Sequence, residues 1–296
     1  MKIINANLTL KFLLLMYLAI ELSQILVFML LAMVNININN GIMLFTQSLL
    51  LILPTLYLFK KYKIDWRKDL SWSKIPYYQY FYLAIFVILF QPFAYKSVTL
   101  IENILNIHTS PENGSFSYGF FVYALIFVGL LSPLYEEVWY RGVLFENTKH
   151  MGVRTAIIWN GLIFGLIHFD ITALVYTFLF GMLCCYVVHK TKSLISSLFM
   201  HVLYNCLQLI PKKTSTESYF QFINNYTTIL FCTLLLVLII YLWNTNFNKN
   251  KKDNSIKEYN DFVKPTNKKT ILKEIINIYS ITIVILFILI NFFIPN

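Results

Sequence analysis

The chain has 296 residues and a formal net charge of +10, and its composition excludes an ordinary soluble protein. Hydrophobic residues make up 58% of it and charged residues only 13%, whereas a soluble domain has about a quarter charged residues. Its apolar residues form long segments, most of which approach the roughly 20 helical residues that cross a bilayer. These segments lie near 10–34, 42–59, 79–100, 118–147, 155–169, 171–189, 193–210, 219–243 and 271–294.

The sequence therefore predicts an all-α fold, a polytopic membrane bundle of about eight to nine transmembrane helices. Residues 1–117 form N-terminal transmembrane helices, and 118–210 form the core of consecutive spans that would carry catalysis. Residues 211–296 form C-terminal helices with a polar linker at 244–270. The last span, beyond that linker, carries no ionisable residue except at its edge, and we expect it to be peripheral. The first apolar segment has no small-residue cleavage site, which favours a retained helix over a signal peptide.

The positive charge is concentrated in two polar segments. Residues 60–76 carry six Lys or Arg, and residues 248–273 carry eight more. Basic loops of membrane proteins remain in the cytoplasm, so we expect a protein of the cell membrane with its N-terminus inside and its C-terminus outside. The charge then reflects topology, and the expected partner is the lipid bilayer rather than a nucleic acid.

Ionisable side chains at membrane depth are concentrated in the core segment. A charged group at the bilayer centre costs about 2.5–3.5 kcal/mol, so such a residue usually faces a cavity or a partner. In SPLYEEVWYR, Glu137 and Arg141 are four residues apart and share a helix face, where they can pair. Glu136 lies roughly 100° further round the helix and lacks that partner. The alternative is that both glutamates simply mark the point where the helix leaves the membrane.

Two further segments bring imidazole and amide groups to the same region of the chain. WNGLIFGLIHFD contains His168, and its Gly161 and Gly165 form a GxxxG pattern that lets a neighbouring helix approach closely. In HVLYN, His201 and Asn205 are four residues apart and share a face. Each histidine alone is typical of a side chain hydrogen-bonded to a neighbouring helix. Together with the spare carboxylate, however, these groups form a set suited to hydrolysis.

EEVWYR, FGLIH and HVLYN fit the patterns EExxxR, FxxxH and HxxxN in that order. This arrangement resembles the CPBP family of intramembrane proteases, which includes type II CAAX prenyl endopeptidases, bacteriocin-processing and self-immunity proteins, and abortive-infection (Abi) proteins. The resemblance covers about 118–210. It implies an endopeptidase acting on a peptide or membrane-protein substrate, in peptide maturation or bacteriocin self-immunity. The alternatives are a non-catalytic immunity or scaffold protein, which the intact motifs disfavour, and a small transporter, which the lack of internal repeats disfavours.

Carried over to this chain, the resemblance implies catalytic roles for four residues. Glu136 would be the general base that activates a water molecule for attack on a peptide carbonyl. His168 would orient the water or stabilise the oxyanion. His201 and Asn205 would complete the oxyanion site.

The resemblance also implies a structural pair and raises the question of a metal. Glu137 and Arg141 would support the fold, in agreement with their shared helix face. Members of the family are also described as metalloproteases, and in that case Glu136, His168 and His201 would be the zinc ligands. Because the sequence contains no HExxH, we expect metal-independent chemistry, with zinc as the alternative.

Overall fold

The computed structural model describes residues 6–33, 55–57, 59–67, 69–107, 118–214 and 268–293, with the single residues 52 and 233. These described residues form helices and connecting turns without any strand, which confirms the predicted all-α class. The predicted spans at 42–59 and 219–243 lie largely outside the described residues, as does the linker at 244–270.

Three helices within the described part of the chain are long and apolar enough to cross a membrane, and others contain shorter apolar stretches. We number the helices in chain order as α1 Ala6–Met33, α2 Tyr77–Leu105, α3 118–151, α4 Val153–Leu166, α5 Leu174–Thr191, α6 Leu194–Thr214, α7 Lys268–Ile275 and α8 Ile278–Phe293. The three long helices are α2, α3 and α5. This arrangement agrees with the predicted membrane bundle.

The long helix α3 changes its winding along its length. Its stretches Leu125–Leu131 and Glu137–Phe145 are π-helical, and the α-helical turn Ser132–Glu136 separates them. A π-helix closes hydrogen bonds over five residues and is frequently found at functional sites. The first π-helical stretch would pair the carbonyl of Val128 with the N–H of residue 133. That residue is Pro133, which has no N–H, so the Val128 carbonyl is left for a partner outside the helix.

Helices α4 and α5 pack closely through the predicted GxxxG pattern. A Cβ atom on Gly161 would lie 2.9 Å from the backbone oxygen of Phe178 and 2.5 Å from Cγ of Met182. A Cβ atom on Gly165 would lie 3.2 Å from the backbone nitrogen of Phe178. No side chain fits at Gly161 without displacing α5, which confirms the predicted close approach.

One face of the C-terminal helix α8 packs against the bundle, while its other face, including Ile281, Ile285 and Ile288, is exposed among the described residues. Ile283 and Phe287 are buried, and α8 packs against α1 and α4. The exposed apolar face fits the predicted peripheral position, and the buried face makes a contact with the bundle that the sequence did not indicate.

Two predicted segments have different helix boundaries in the structure. Helix α4 ends at Leu166, so His168 lies in the turn after the helix and not within a span over 155–169. The segment 271–294 divides into α7 and α8, because the side-chain oxygen of Asn277 accepts the backbone N–H groups of Tyr279 and Ser280 and so starts a new helix.

Candidate active site

The carboxylate of Glu137 lies at the centre of a buried group of charged and polar side chains. Its Oε1 is 2.8 Å from Nη1 of Arg141 and 2.8 Å from Nδ1 of His201. The exposed fractions of the Glu137 and Arg141 side chains are 0% and 1%. The guanidinium group of Arg141 also lies 4.2 Å from the centre of the Phe164 ring, where a cation is attracted to the ring face. The predicted Glu137–Arg141 pair is confirmed, while the contact of Glu137 with His201, a residue predicted for the catalytic site, was not predicted.

The contact with Glu137 determines which ring nitrogen of His201 donates a hydrogen bond. A carboxylate already paired with arginine accepts hydrogen bonds, so Nδ1 of His201 carries the hydrogen and donates it. The other ring nitrogen, Nε2, lies 3.7 Å from Oε2 of Glu136. The two neighbouring glutamates therefore approach the two nitrogens of one imidazole, which brings α3 and α6 together as the motifs predicted.

The two carboxylate oxygens of Glu136 have different surroundings. Oε1 accepts a hydrogen bond of 2.6 Å from the Ser132 hydroxyl, whereas Oε2, which faces His201, receives none. The side chain is 24% exposed as a whole, although Oε2 itself is buried. Sequence reasoning missed Ser132, although its spacing of four residues from Glu136 places both on one helix face and could have indicated the contact.

His168 lies beside the same aromatic ring as His201. Its Nδ1 donates a hydrogen bond of 2.6 Å to the backbone oxygen of Phe164, which leaves Nε2 as the nitrogen that can act on another group. The centre of the Phe164 ring is 4.8 Å from that of His168 and 5.8 Å from that of His201. Since His168 is exposed, a substrate can reach it.

Asn205 joins α6 to the irregular part of α3. Its Nδ2 donates a hydrogen bond of 2.9 Å to the backbone oxygen of Val128, the carbonyl that Pro133 cannot pair with. The helices are close here, because a Cβ atom on Gly129 would lie 3.0 Å from Sγ of Cys206. The side-chain amide has two hydrogens, so one remains for a substrate after this contact is made.

The predicted zinc ligands do not form a metal site as the structure places them. Glu136 and His201 are close enough for one ion to touch both, since zinc binds carboxylate and imidazole at about 2 Å. A catalytic zinc takes three protein ligands, however, and in the parts of the chain that the structure describes no group of three or more His, Cys, Asp or Glu side chains could hold a metal ion. His168 is thus not positioned as the third ligand.

Residues 118–207 match the family model described as type II CAAX prenyl endopeptidase Rce1-like. No curated protein and no solved structure matches the chain. The matched segment contains all three motifs, and the match confirms the predicted resemblance to the CPBP family. Together with the apolar helices, it indicates a membrane protein and supports a CAAX-type intramembrane protease in general.

Proposed function

Because residues 118–207 match the Rce1-like family, we propose that this protein is an intramembrane endopeptidase in which Glu136 activates the attacking water. The observation that supports this most strongly is the contact between α3 and α6. There, a carboxylate oxygen without a hydrogen bond lies 3.7 Å from an imidazole nitrogen whose ring is fixed by Glu137. At 3.7 Å the two atoms are too far apart for a direct hydrogen bond, and a water molecule beside the pair, about 2.8 Å from each atom, would contact both.

In the proposed reaction, the water lies beside this pair and contacts both Oε2 of Glu136 and Nε2 of His201. Glu136 takes one proton from the water as the oxygen attacks the peptide carbonyl, and Nε2 of His201 accepts a hydrogen bond from the second hydrogen, which stays on the oxygen and so orients the attack. Collapse of the tetrahedral intermediate breaks the carbon–nitrogen bond. The proton held by Glu136 then passes to the departing amine nitrogen, which returns the carboxylate to its starting state.

The oxyanion of the intermediate requires a hydrogen-bond donor. We assign this role to the second side-chain N–H of Asn205, because the Val128 carbonyl holds the amide in place before substrate binds. A donor fixed in advance stabilises developing charge without reorganisation during the reaction. His168 has its Nδ1 on the Phe164 carbonyl, so it acts through Nε2, as a second group that positions the water or the oxyanion.

We propose that the protein lies in the cell membrane with its basic loops in the cytoplasm. The loop before α2 contacts the turn between α5 and α6, where the Ser73 hydroxyl donates to the backbone oxygen of Lys192 and the N–H of Leu194 donates to the backbone oxygen of Ser71. The basic loop at 60–76 is thereby placed at one end of the bundle, which we assign to the cytoplasm. His201 is the eighth residue of α6, so it lies about 11 Å from that end at 1.5 Å per residue.

The test is cleavage of defined peptides by the purified protein in lipid nanodiscs. One internally quenched peptide ends in a farnesylated CAAX sequence, and a second has the same sequence without the lipid. We expect cleavage of at least one peptide at a single bond by mass spectrometry, with the rate unchanged by a zinc chelator. A folded protein that cleaves neither peptide, nor an unmodified bacteriocin leader peptide, would favour the non-catalytic immunity or scaffold alternative. Loss of cleavage with chelator and its return with zinc would contradict the metal-independent reaction.

Replacing Ser132 with alanine should lower the turnover number about tenfold and leave KM nearly unchanged. The variant leaves Oε1 of Glu136 without its hydrogen bond, so the carboxylate is less well fixed, and small losses of orientation are costly in catalysis. Steady-state kinetics on the cleaved peptide measures the effect. A suitable control is Ser97→Ala, because the Ser97 hydroxyl donates only to a backbone carbonyl within α2. Equal turnover for Ser132→Ala and the native protein would remove Ser132 from the site.

A further inference from the structure

The C-terminal helices α7 and α8 contact the residues just before α4 and the turn just after it. Before α4 begins, Nε2 of His150 lies 2.7 Å from Oε2 of Glu274 in α7. After α4 ends, the turn that contains His168 contacts Asn291 in α8. These helices lie beyond the segment 118–207 that matches the protease family.

The side chain of Asn291 makes two hydrogen bonds to that turn and one within its own helix. Its Oδ1 accepts the backbone N–H of Ile171 at 2.8 Å, and its Nδ2 donates to the backbone oxygens of Phe169 at 3.1 Å and of Phe287 at 2.8 Å. Asn291 therefore bonds to the turn on both sides of Asp170 while remaining anchored to its own helix. An amide at the end of an apolar helix commonly bonds to water or lipid headgroups, whereas this one bonds to protein backbone.

The turn needs an external support because its conformation is unfavourable. Phe169, directly after His168, has a φ of +49°, a left-handed conformation that costs about 1 kcal/mol or more for a bulky side chain and persists only where the surroundings hold it. The Asp170 carboxylate supports the far side of the turn by accepting the backbone N–H of Thr172 at 2.8 Å. On the near side, Asn291 is bonded to the carbonyl of Phe169 itself.

We propose that Asn291 is a positioning residue that fixes the place of the His168 imidazole through the turn 167–171. The proposal rests on the proposed peptidase function for its kinetic consequence, and on the contacts alone for its structural one. Asn291 touches neither the water nor the substrate, and acts by holding the backbone on which His168 stands. Helix α8 then contributes to the position of a catalytic side chain.

The test compares Asn291→Leu with the matched variant Glu274→Gln, both in the full chain in nanodiscs. Leucine keeps the number and branching of the side-chain heavy atoms and removes the hydrogen bonds to the turn. Glu274→Gln weakens the contact of the C-terminal helices at the opposite end of α4, far from His168. Two measurements are made on each variant: amide hydrogen exchange of peptides covering 167–173, and steady-state kinetics on the peptide that the native protein cleaves.

We expect Asn291→Leu to accelerate exchange at Ile171 and to lower the turnover number about tenfold to a hundredfold, with KM within about twofold of the native value, as for a displaced catalytic group. Glu274→Gln should change neither. Unchanged exchange in Asn291→Leu, or faster exchange with native turnover, would overturn the positioning role. Equal kinetic losses in the two variants would also overturn it, because they would show a general structural effect. If the native protein proves inactive, faster exchange alone supports the contact, and the peptidase proposal fails separately.

Discussion

Replacing Glu136 with glutamine should lower the rate of peptide cleavage about a hundredfold to ten-thousandfold, the range expected when a general base is removed. Glutamine has the same shape and can still accept the hydrogen bond from Ser132, but it cannot take a proton from water. The oxygen that faces His201 makes no hydrogen bond, so the substitution breaks none, and the amide N–H that replaces it faces the acceptor Nε2 of His201. Single-turnover kinetics with the cleaved peptide measures the loss at the chemical step.

Glu146→Gln is the control for that experiment. Glu146 lies on the same helix, carries the same charge and pairs with Lys149 outside the candidate site. Its replacement should leave cleavage unchanged, and thermal unfolding should show that both variants fold. Native cleavage rates in folded Glu136→Gln would contradict the proposed mechanism. Among the described residues, Nε2 of His201 pairs with no carboxylate other than Glu136.

Local spacing predicted the contacts that lie within one helix or between sequential helices. Glu137 and Arg141 were expected to pair because residues four apart share a face, and they do so even though the helix between them is π-helical. The small residues at 161 and 165 were expected to admit a neighbour, and α5 is that neighbour. In both cases the contact depends on a short stretch of chain, so the sequence alone is enough to predict it.

Contacts that depend on irregular backbone were not predicted. Nothing in the spacing of HVLYN indicates that Asn205 bonds to the Val128 carbonyl, because this requires knowing that Pro133 leaves that carbonyl without a partner in a π-helical stretch. The ring nitrogens of His201 are similarly divided between Glu136 and Glu137. The rotation of α6 about its axis decides this division, and motif patterns do not specify that rotation.

The contact between α8 and the turn after α4 was missed for a different reason. A uniformly apolar helix has no polar face that would distinguish its lipid side from its protein side, so its sequence does not indicate which face contacts the bundle. Asn291 was the available signal. A single amide near the end of such a run has to satisfy its hydrogen bonds somewhere, and here the partner is the turn next to His168.

Replacing Arg141 with methionine should lower the free energy of unfolding by about 3–5 kcal/mol, since it leaves the fully buried Glu137 carboxylate without its cation. Methionine fills much of the same volume against Phe164, so the loss reports mainly on the unpaired charge. Unfolding by titration with dodecyl sulfate in mixed micelles measures the change. A loss below about 1 kcal/mol, the usual value for an exposed ion pair, would contradict the burial of this pair.

The double variant Glu137→Met with Arg141→Met separates stability from catalysis. Removing both charges removes the unpaired carboxylate, so the double variant should be more stable than Arg141→Met alone, as when buried ion pairs are replaced by apolar side chains. Cleavage should nevertheless stay low, because Nδ1 of His201 loses the oxygen that fixes its ring. Recovery of both stability and native turnover would show that Glu137 acts only on the fold. Recovered stability with lost turnover would show that the buried carboxylate also orients the imidazole beside Glu136.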